Sequence, residues 1–444
     1  MAEQHRVVIL GGGFGGLNAA QKLKRAPVSV TLIDRRNFHL FQPLLYQVAT
    51  GSLSPGEIAA PLRGVLSRQK NAQVLLGEAA DIDPVAKRVI LRDGTAYPYD
   101  SLIVATGSQT SYYGNDDWNT WAPSLKSIEE ATAIRHKILY AFESAERAAT
   151  EEEARAWLTF VIVGAGATGM ELSGALAEIA NETLKNDFRR INPREARIIL
   201  MEGGPRVLPA FPEKLSSKAE KLVARLGVEV TKNVMVTDID AHGVTYKSGD
   251  ESKRLAARTV LWAGGVTTNA FGRALAQCTK SETDRNGRIK VNPDLTVPGF
   301  TDIFIVGDLA LSLGENGKPL PGVAQVAIQG GAYAAKSIRA RLQGSTLKPF
   351  HYFNKGDMAV IGRAAAVANI FGFQLSGLLA WLTWLFIHLM YIVEFQSRVL
   401  VFVQWGFEYL TFSRGARLIT GVAATDSLDK PETLTNKTQM GDGR

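Results

Sequence analysis

The strongest constraint on the fold is a glycine-rich turn that the sequence contains twice. The apolar residues 7–10 are followed by GGGFGG and the helical pattern LNAAQKLKR, and the apolar residues 160–163 are followed by GAGATG and another helical pattern. A strand, a GxGxxG turn and a helix in this order typically bind a dinucleotide, because glycine lets the backbone approach the pyrophosphate and the helix N-terminus faces this anion. The motif glycines are Gly11, Gly13, Gly16, Gly164, Gly166 and Gly169. The sequence therefore predicts two dinucleotide sites.

Each unit also has an acidic residue where its second predicted strand ends. VSVTLID ends at Asp34, and RIILME ends at Glu202. A carboxylate at this position hydrogen-bonds a ribose hydroxyl and repels a 2′-phosphate, so NADH is expected at the second site rather than NADPH. The crossover before Glu202 is longer than usual, which leaves a solvated strand end as the alternative interpretation of that residue.

Three further stretches combine an apolar strand with a small-residue turn: YDSLIVATGS, TVLWAGG and GFTDIFIVGDLA. The ordered set of motifs resembles that of the two-dinucleotide-binding-domain flavoproteins, in which the first domain holds FAD and the second, inserted into it, holds NAD(P)H. The resemblance implies an α/β fold with two Rossmann-like domains. It places NADH on Gly164, Gly166, Gly169 and Glu202, and FAD on Gly11, Gly13, Gly16, Asp34, Ala105, Thr106, Gly107, Gly307, Asp308 and Ala324.

The composition excludes several chemistries for the electron acceptor. Cys278 is the only cysteine, so the chain has no redox disulfide of its own and no cysteine zinc cluster. The six histidines are scattered without ligand spacing, so no metal site is expected. Direct transfer to oxygen, to a protein or to a diffusible acceptor remains. The net charge of +7 permits contact with anionic membranes without requiring it.

The C-terminal region contains two long apolar runs, residues 375–393 and 399–412. The interpretation that we favour is an amphipathic helix pair lying in a membrane interface, with tryptophans and tyrosines at the lipid boundary and Arg398, Arg414 and Arg417 on lipid phosphates. A transmembrane helix is an alternative, opposed by the polar residues His388 and Glu408. A dimer interface or a buried core helix is another.

The stretch VAQVAIQGG carries two amides, Gln325 and Gln329, which share one face if the segment is helical. Neutral hydrogen-bond donors beside a small-residue helix suit the carbonyls of a quinone. The alternative is that the two amides bridge buried backbone near the flavin.

AQVAIQ resembles the AQxAxQ signature of the type II NADH dehydrogenases, and HLFQPLLYQVATGSLSP, KGDMAVIGRAAAV and the apolar C-terminal runs are similar to that family too. The resemblance implies a monotopic, often dimeric FAD enzyme that oxidises NADH and reduces a quinone without pumping protons. It also places Glu171 in the substrate region. We expect Glu171 in the first turn of its helix, where it would orient substrate or assist proton delivery to the quinone. Stabilisation by the helix dipole alone is the simpler interpretation.

The predicted organisation is as follows. Residues 1–115 and 266–345 form the FAD-binding domain, residues 116–265 the NADH-binding domain, residues 346–420 a membrane-anchoring helical region and residues 421–444 a polar, disordered tail. The expected partners are NADH, a membrane quinone, the bilayer surface and a second copy of the chain, but no nucleic acid. The expected location is the cytoplasmic face of the inner membrane. A soluble reductase with a protein acceptor and a slow redox sensor remain alternatives.

Overall fold

The computed structural model describes residues 4–420, so the predicted polar tail lies outside the described residues. The helices are α1 (Phe14–Lys22), α2 (Leu45–Ala49), α3 (Leu62–Val65), α4 (Ile128–Arg147), α5 (Glu151–Trp157), α6 (Ala167–Glu178), α7 (Glu213–Arg225), α8 (Ala270–Cys278), α9 (Ala324–Leu342), α10 (Leu378–Tyr391) and α11 (Phe395–Thr411). The strands are β1 (His5–Leu10), β2 (Val28–Asp34), β3 (Phe38–Leu40), β4 (Ala59–Pro61), β5 (Ala72–Leu76), β6 (Ala79–Asp83), β7 (Arg88–Leu91), β8 (Ala96–Pro98), β9 (Ser101–Val104), β10 (Ser108–Thr110), β11 (Thr159–Val163), β12 (Arg197–Glu202), β13 (Val228–Lys232), β14 (Val234–Asp240), β15 (Gly243–Ser248), β16 (Glu251–Ala256), β17 (Thr259–Trp262), β18 (Val266–Thr268), β19 (Ile289–Lys290), β20 (Thr296–Val297), β21 (Phe300–Ile305), β22 (Ala310–Leu311), β23 (Asp357–Gly362), β24 (Ala365–Ile370) and β25 (Phe373–Gly377).

The first large sheet has the strand order β20-β21-β9-β1-β2-β5 and is parallel except at its β20 edge. Its strands come from both stretches that we assigned to the FAD-binding domain, because β21 pairs with β9 and β20 pairs with β21. Both faces are covered, which explains why strands such as β1 and β9 read as nearly continuous apolar runs. Helices α1 and α9 pack on one face, and α8 packs with the small sheet β6-β7-β8 on the other.

Two glycines bring α9 close to the first glycine turn. A Cβ atom on Gly331 of α9 would lie 2.0 Å from the carbonyl oxygen of Gly15 in α1, so only glycine fits there. This close contact fixes the helix that carries Gln325 and Gln329 directly beside the first dinucleotide turn.

The second large sheet is parallel, with the order β13-β12-β11-β17. It forms from residues that the sequence assigned to the NADH-binding domain, and α4, α6 and α7 share its core. The chain passes between the two units at β10 and β18, which pair with each other as antiparallel strands. The two crossings are therefore tied together by a ladder of backbone hydrogen bonds.

The C-terminal region differs in one respect from the sequence prediction of a purely helical anchor. Before its two helices it forms an antiparallel sheet, β23-β24-β25, and residues 375–377 of the first apolar run belong to β25. Short strands of small apolar residues such as AAVANI carry a weak sequence signal, which explains the omission. None of the helices within residues 4–420 has the length and apolarity needed to cross a bilayer.

The C-terminal sheet and helices share one hydrophobic core with the second nucleotide unit. Buried Ala366, Trp384 and Val401 belong to the same cluster as Leu172 and Leu176 of α6. At the closest point, a Cβ atom on Gly174 of α6 would lie 1.6 Å from the carbonyl oxygen of Ile361 in β23. The C-terminal sheet and both helices thus contribute residues to a core that they share with the nucleotide-binding fold.

Candidate functional site

The first glycine turn has the shape of a pyrophosphate cradle. Gly11 adopts a φ of +98°, and a Cβ atom there would lie 2.4 Å from the carbonyl oxygen of Ala105. A Cβ atom on Gly16 would lie 1.8 Å from the oxygen of Gly11, whereas Gly13 has open space around it. Gly13 is also the N-cap of α1, and no side chain occupies the helix N-terminus. The turn therefore leaves room and free backbone N–H groups for an anion.

The second glycine turn repeats this geometry. Gly164 has a φ of +101°, and a Cβ atom on Gly169 would lie 1.9 Å from its carbonyl oxygen. Gly166 faces open space and caps α6 without a side-chain hydrogen bond. All six glycines thus lie where the sequence pattern predicts.

The two acidic residues occupy matching positions. Asp34 accepts hydrogen bonds from the backbone N–H groups of Gly12, at 2.5 Å, and Arg36, at 2.7 Å. Glu202 accepts from Ala165 and Gly204, both at 2.8 Å. Burial raises the pKa of Asp34, against the effect of its two hydrogen bonds. Each carboxylate therefore binds the backbone of its own glycine turn.

Of the remaining residues predicted to bind FAD, Ala324 begins α9, and the others follow the carboxyl ends of β9 and β21. Asp308 accepts a hydrogen bond from Ser108 Oγ at 2.8 Å, and Gly307 has a φ of +73°. The hydroxyl of Thr106 is buried without a hydrogen-bond partner among the described residues. An unpaired hydroxyl, a carboxylate and the open cradle at Gly13 lie along one sheet edge, and this donor and acceptor set fits FAD.

Gln325 and Gln329 lie near the start of α9, as predicted, but their amide donors are already engaged. Gln325 Nε2 donates to the carbonyl of Gly356 at 3.0 Å, and Gln329 Nε2 donates to that of Phe353 at 2.9 Å. Phe353 N–H donates back to Gln329 Oε1 at 3.0 Å. The contacts match the bridging alternative raised from the sequence. The buried Gln325 Oε1 has no partner within residues 4–420, which leaves an acceptor that a flavin ring N–H can satisfy.

Glu171 lies in the fifth position of α6, so the expectation that it sits in the first helical turn is wrong. The helix begins at Ala167, three residues after the first glycine of the motif. Burial raises the pKa of Glu171 to about 8, and a hydrogen bond from the backbone of Val360 in β23 opposes this effect. The dipole explanation weakens, because the favourable effect of a helix N-terminus is largest in the first turn.

Glu171 lines a cavity between α6 and the C-terminal helices, with a volume of about 770 Å³ including its mouth. The cavity is lined by Tyr46, Gln47, Thr50, Ser52, Glu171, Ala175, Glu178, Thr183, Val360, Ile361, Gly362, Arg363, Trp381, Trp384, Leu385, Trp405, Glu408, Tyr409, Phe412 and Arg414. Aromatic rings therefore form much of its wall, and several ionisable groups face inward.

Arg414 corrects one sequence expectation. It is only 9% exposed, donates to Glu178 at 2.9 Å and to the carbonyl of Thr50 at 3.2 Å, and so does not face lipid phosphates. Glu178 also accepts a hydrogen bond from the backbone of Arg363. The contacts of Arg414 join segments around residues 50, 178 and 414, which are more than 100 residues apart, and no local pattern in the sequence could have identified them.

Comparison with known proteins agrees with this architecture. The family model of pyridine nucleotide-disulphide oxidoreductases matches residues 5–331, and the NDH2 C-terminal domain model matches residues 354–414. The type II NADH:quinone oxidoreductase Ndh of Mycobacterium tuberculosis is 47% identical over 424 residues, covering 94% of this chain and 90% of the relative. The chain belongs to the type II NADH:quinone oxidoreductase family.

A more distant sequence relative and a solved structure also match most of the chain. The type II NADH:quinone oxidoreductase of Staphylococcus haemolyticus is 30% identical over 84% of this chain and 92% of its own. The structure of NDH2 from Plasmodium falciparum in complex with NADH has a TM-score of 0.84, with 22% identity, covering 94% of this chain and all of that one. Family membership confirms the predicted flavoprotein fold, an oxidoreductase activity, FAD as cofactor and NADH as reductant.

Proposed function

We propose that this chain transfers two electrons from NADH to a membrane quinone while its C-terminal helices rest on the cytoplasmic face of the inner membrane. One observation carries the proposal: α6, which begins at the second nucleotide turn, and the apolar helices α10 and α11 enclose the same cavity. A water-soluble donor can therefore approach from the α6 side of the cavity, and a lipid-borne acceptor from the side of α10 and α11.

Membrane contact is supported by an apolar face on α10 and α11. Its exposed residues are Leu378, Leu379, Leu382, Phe386, Met390, Tyr391, Phe395, Val399, Leu400, Phe402, Val403, Phe407, Tyr409, Leu410 and Phe412. A continuous set of this size exceeds what a monomer normally exposes to water and marks an interaction surface. If this apolar face lies on lipid, the predicted homodimer must use another surface.

FAD, when bound, carries a hydride equivalent from the nicotinamide to the acceptor. Within the chain, the two glycine turns hold the pyrophosphates, and Asp34 and Glu202 hold the ribose hydroxyls. We assign Glu171 to the acceptor cavity, where it assists substrate orientation or proton delivery. We assign Gln325 and Gln329 a positioning role: their amides hold residues 353–356 beside α9.

Replacing Gln325 with alanine tests the acceptor side of this proposal. The change removes the hydrogen bond to Gly356, worth about 1 kcal/mol, so the KM for quinone should rise roughly fivefold to tenfold. The bleaching of the flavin absorbance by NADH should remain near the parent rate. The KM is measured from steady-state oxidation of NADH and NADPH with menaquinone and ubiquinone analogues. Anaerobic stopped-flow measures the rate of flavin bleaching.

Gln343→Ala is the matched control, because Gln343 is an exposed amide at the end of the same helix. Equal losses in both half-reactions of Gln325→Ala would remove Gln325 from the acceptor side. A parent protein that oxidises NADH only slowly with every quinone would favour the redox-sensor alternative.

Charges on the apolar face should release the protein from membranes. Phe402 and Leu410 are 64% and 80% exposed. Changing either residue to glutamate removes about 2 kcal/mol of the free energy gained when its apolar side chain enters the membrane. The double variant should bind vesicles at least 100-fold more weakly, yet keep its NADH oxidation with ferricyanide. Sedimentation with vesicles of mixed zwitterionic and anionic lipid measures the partition.

Val85→Glu controls for added charge, since Val85 is 88% exposed in the turn between β6 and β7. Truncation of the C-terminal region would be less informative, because it would expose the shared core around Trp384 and Val401. Undiminished vesicle binding by the double variant would support a soluble enzyme whose apolar face meets a partner protein.

A further inference from the structure

The reduction of a quinone requires one proton that NADH does not bring. Oxidation of NADH releases two electrons and one proton, whereas a quinone takes up two electrons and two protons to become a quinol. Each turnover therefore draws one proton from solvent into a site that lipid and aromatic rings shield from water. A side chain that lines the site can relay this proton.

The cavity under the C-terminal helices contains two buried donors without partners within residues 4–420. Trp384 is 1% exposed, and its indole Nε1 makes no hydrogen bond. Arg363 Nη1 is buried and unpaired as well, while its guanidinium lies 4.0 Å from the ring centres of both Tyr409 and Phe412. Unpaired buried N–H groups are costly, so a ligand that offers acceptor oxygens would be stabilised by binding beside them.

A quinone ring meets this requirement in the oxidised state, since its two carbonyl oxygens are acceptors only. The amide donors of Gln325 and Gln329 are occupied by backbone carbonyls, whereas Trp384 and Arg363 are free to donate. Tyr409 and Phe412 line the cavity and are also exposed on the apolar face, so the isoprenoid tail can leave towards lipid.

Glu408 is the carboxyl on the membrane side of this cavity. It lies on α11 and accepts hydrogen bonds from Ser52 Oγ and from Gln404 Nε2, both neutral groups. Burial raises its pKa, which the hydrogen bond from Ser52 and the nearby Arg414 oppose. Glu408 lines a cavity whose mouth opens at the protein surface, and this opening gives its carboxyl a route to recover a proton.

We propose that Glu408 is the acid that gives this proton to a quinone ring bound in the cavity between Trp384 and Arg363. The O–H bond of the carboxylic acid breaks, an O–H bond forms on a quinone oxygen, and the carboxylate is reprotonated from solvent. The electrons and the other proton come from the oxidation of NADH. The assignment rests on the proposed quinone reductase function.

Other titratable groups face the same cavity and set the charge around Glu408. They are Tyr46 of α2, Glu171 and Glu178 of α6, Arg363 after β23, Tyr409 of α11, and Arg414. Helix α10 contributes only Trp381, Trp384 and Leu385 to the wall. Glu178 is paired with Arg414, and Glu171 belongs to α6, which leaves Glu408 as the carboxyl that the C-terminal helix α11 contributes to the cavity.

The test compares Glu408→Gln with the parent holoenzyme in two half-reactions. With a short-chain ubiquinone analogue, the quinone-dependent rate of the variant should fall at least tenfold at pH 7, while bleaching of the flavin by NADH stays unchanged. The quinone-dependent rate of the parent should decrease as the pH rises through the pKa of Glu408. This descending limb of the pH–rate profile should be absent from Glu408→Gln. Glu408→Asp should restore part of it.

Two companion variants separate chemistry from structure. Trp384→Phe keeps the ring but removes the donor, and should raise the quinone KM severalfold without altering the pH limb. Glu394→Gln changes a carboxyl at the start of α11 that does not line the cavity, and should behave as the parent. A parent-like rate and pH profile in Glu408→Gln, or equal loss in both half-reactions, would overturn the assignment. A parent that reduces ferricyanide but no quinone would overturn the proposed function itself.

Discussion

Replacing Gly174 with alanine is expected to force the C-terminal sheet away from α6 and to abolish most quinone reduction. The new Cβ atom would lie 1.6 Å from the carbonyl oxygen and 2.8 Å from the carbonyl carbon of Ile361. Both are backbone atoms of β23, which cannot rotate aside as a flexible side chain could. Overpacking of this kind typically costs about 1–3 kcal/mol, and direct backbone overlap places this site at the upper end.

Separation of the two surfaces would also open the cavity, because α6 and the residues after Val360 form adjoining parts of its wall. We expect a lower midpoint of thermal unfolding, faster proteolysis within the C-terminal region and at least a tenfold loss of quinone-dependent turnover. NADH binding should survive, since the atoms closest to the Cβ positions of Gly164 and Gly169 belong to the turn itself, Ala263 and Gly264. Calorimetry, limited proteolysis and steady-state kinetics measure these effects.

Gly406→Ala is the matched control, because Gly406 lies within α11 with no atom near the position of the added methyl group. Alanine favours a helix over glycine by about 1 kcal/mol, so this variant should be neutral or slightly more stable. Equal stability of Gly174→Ala and the parent would show that α6 and β23 are not held this closely in solution.

Glu171→Gln should become more stable than the parent as the pH rises from 5 to 8. The pKa of Glu171 is raised by burial from 4.5 to about 8, so the folded chain keeps a proton that the unfolded chain loses. The stabilising contribution of the protonated carboxyl is fully present below pH 4.5 and is lost as the pH rises to about 8. The loss amounts to about 1.4 kcal/mol per pH unit, and glutamine does not incur it.

Denaturant midpoints of the two proteins at pH 5, 6.5 and 8 check this expectation. Glu213→Gln serves as control, because Glu213 is an exposed carboxyl in the first turn of α7, and its difference from the parent should not change with pH. If Glu171 also takes part in catalysis, the stabilised variant should turn over quinone more slowly. A stability gap that stays constant across this pH range would show that Glu171 is ionised in the folded protein.

The sequence by itself determined the two nucleotide units. GxGxxG, a buried strand on one side and a helix on the other are local features, and the steric reason for each glycine lies within a few residues or at the next strand. Gly16 against Gly11, and Gly169 against Gly164, are contacts inside single turns. Asp34 and Glu202 followed because a carboxylate at the end of the adjacent parallel strand reaches the same turn.

Only the tertiary structure decided the acceptor side. Gln325 and Gln329 were found from their spacing, but their hydrogen bonds depend on residues 353–356. The sequence predicted that Arg414 contacts lipid, whereas in the structure Arg414 is buried against Glu178 and Thr50. Glu408 accepts a hydrogen bond from Ser52, which lies 356 residues earlier in the sequence. The partner and the burial of a polar side chain depend on segments brought together by packing, and no periodicity along the chain records which segments those are.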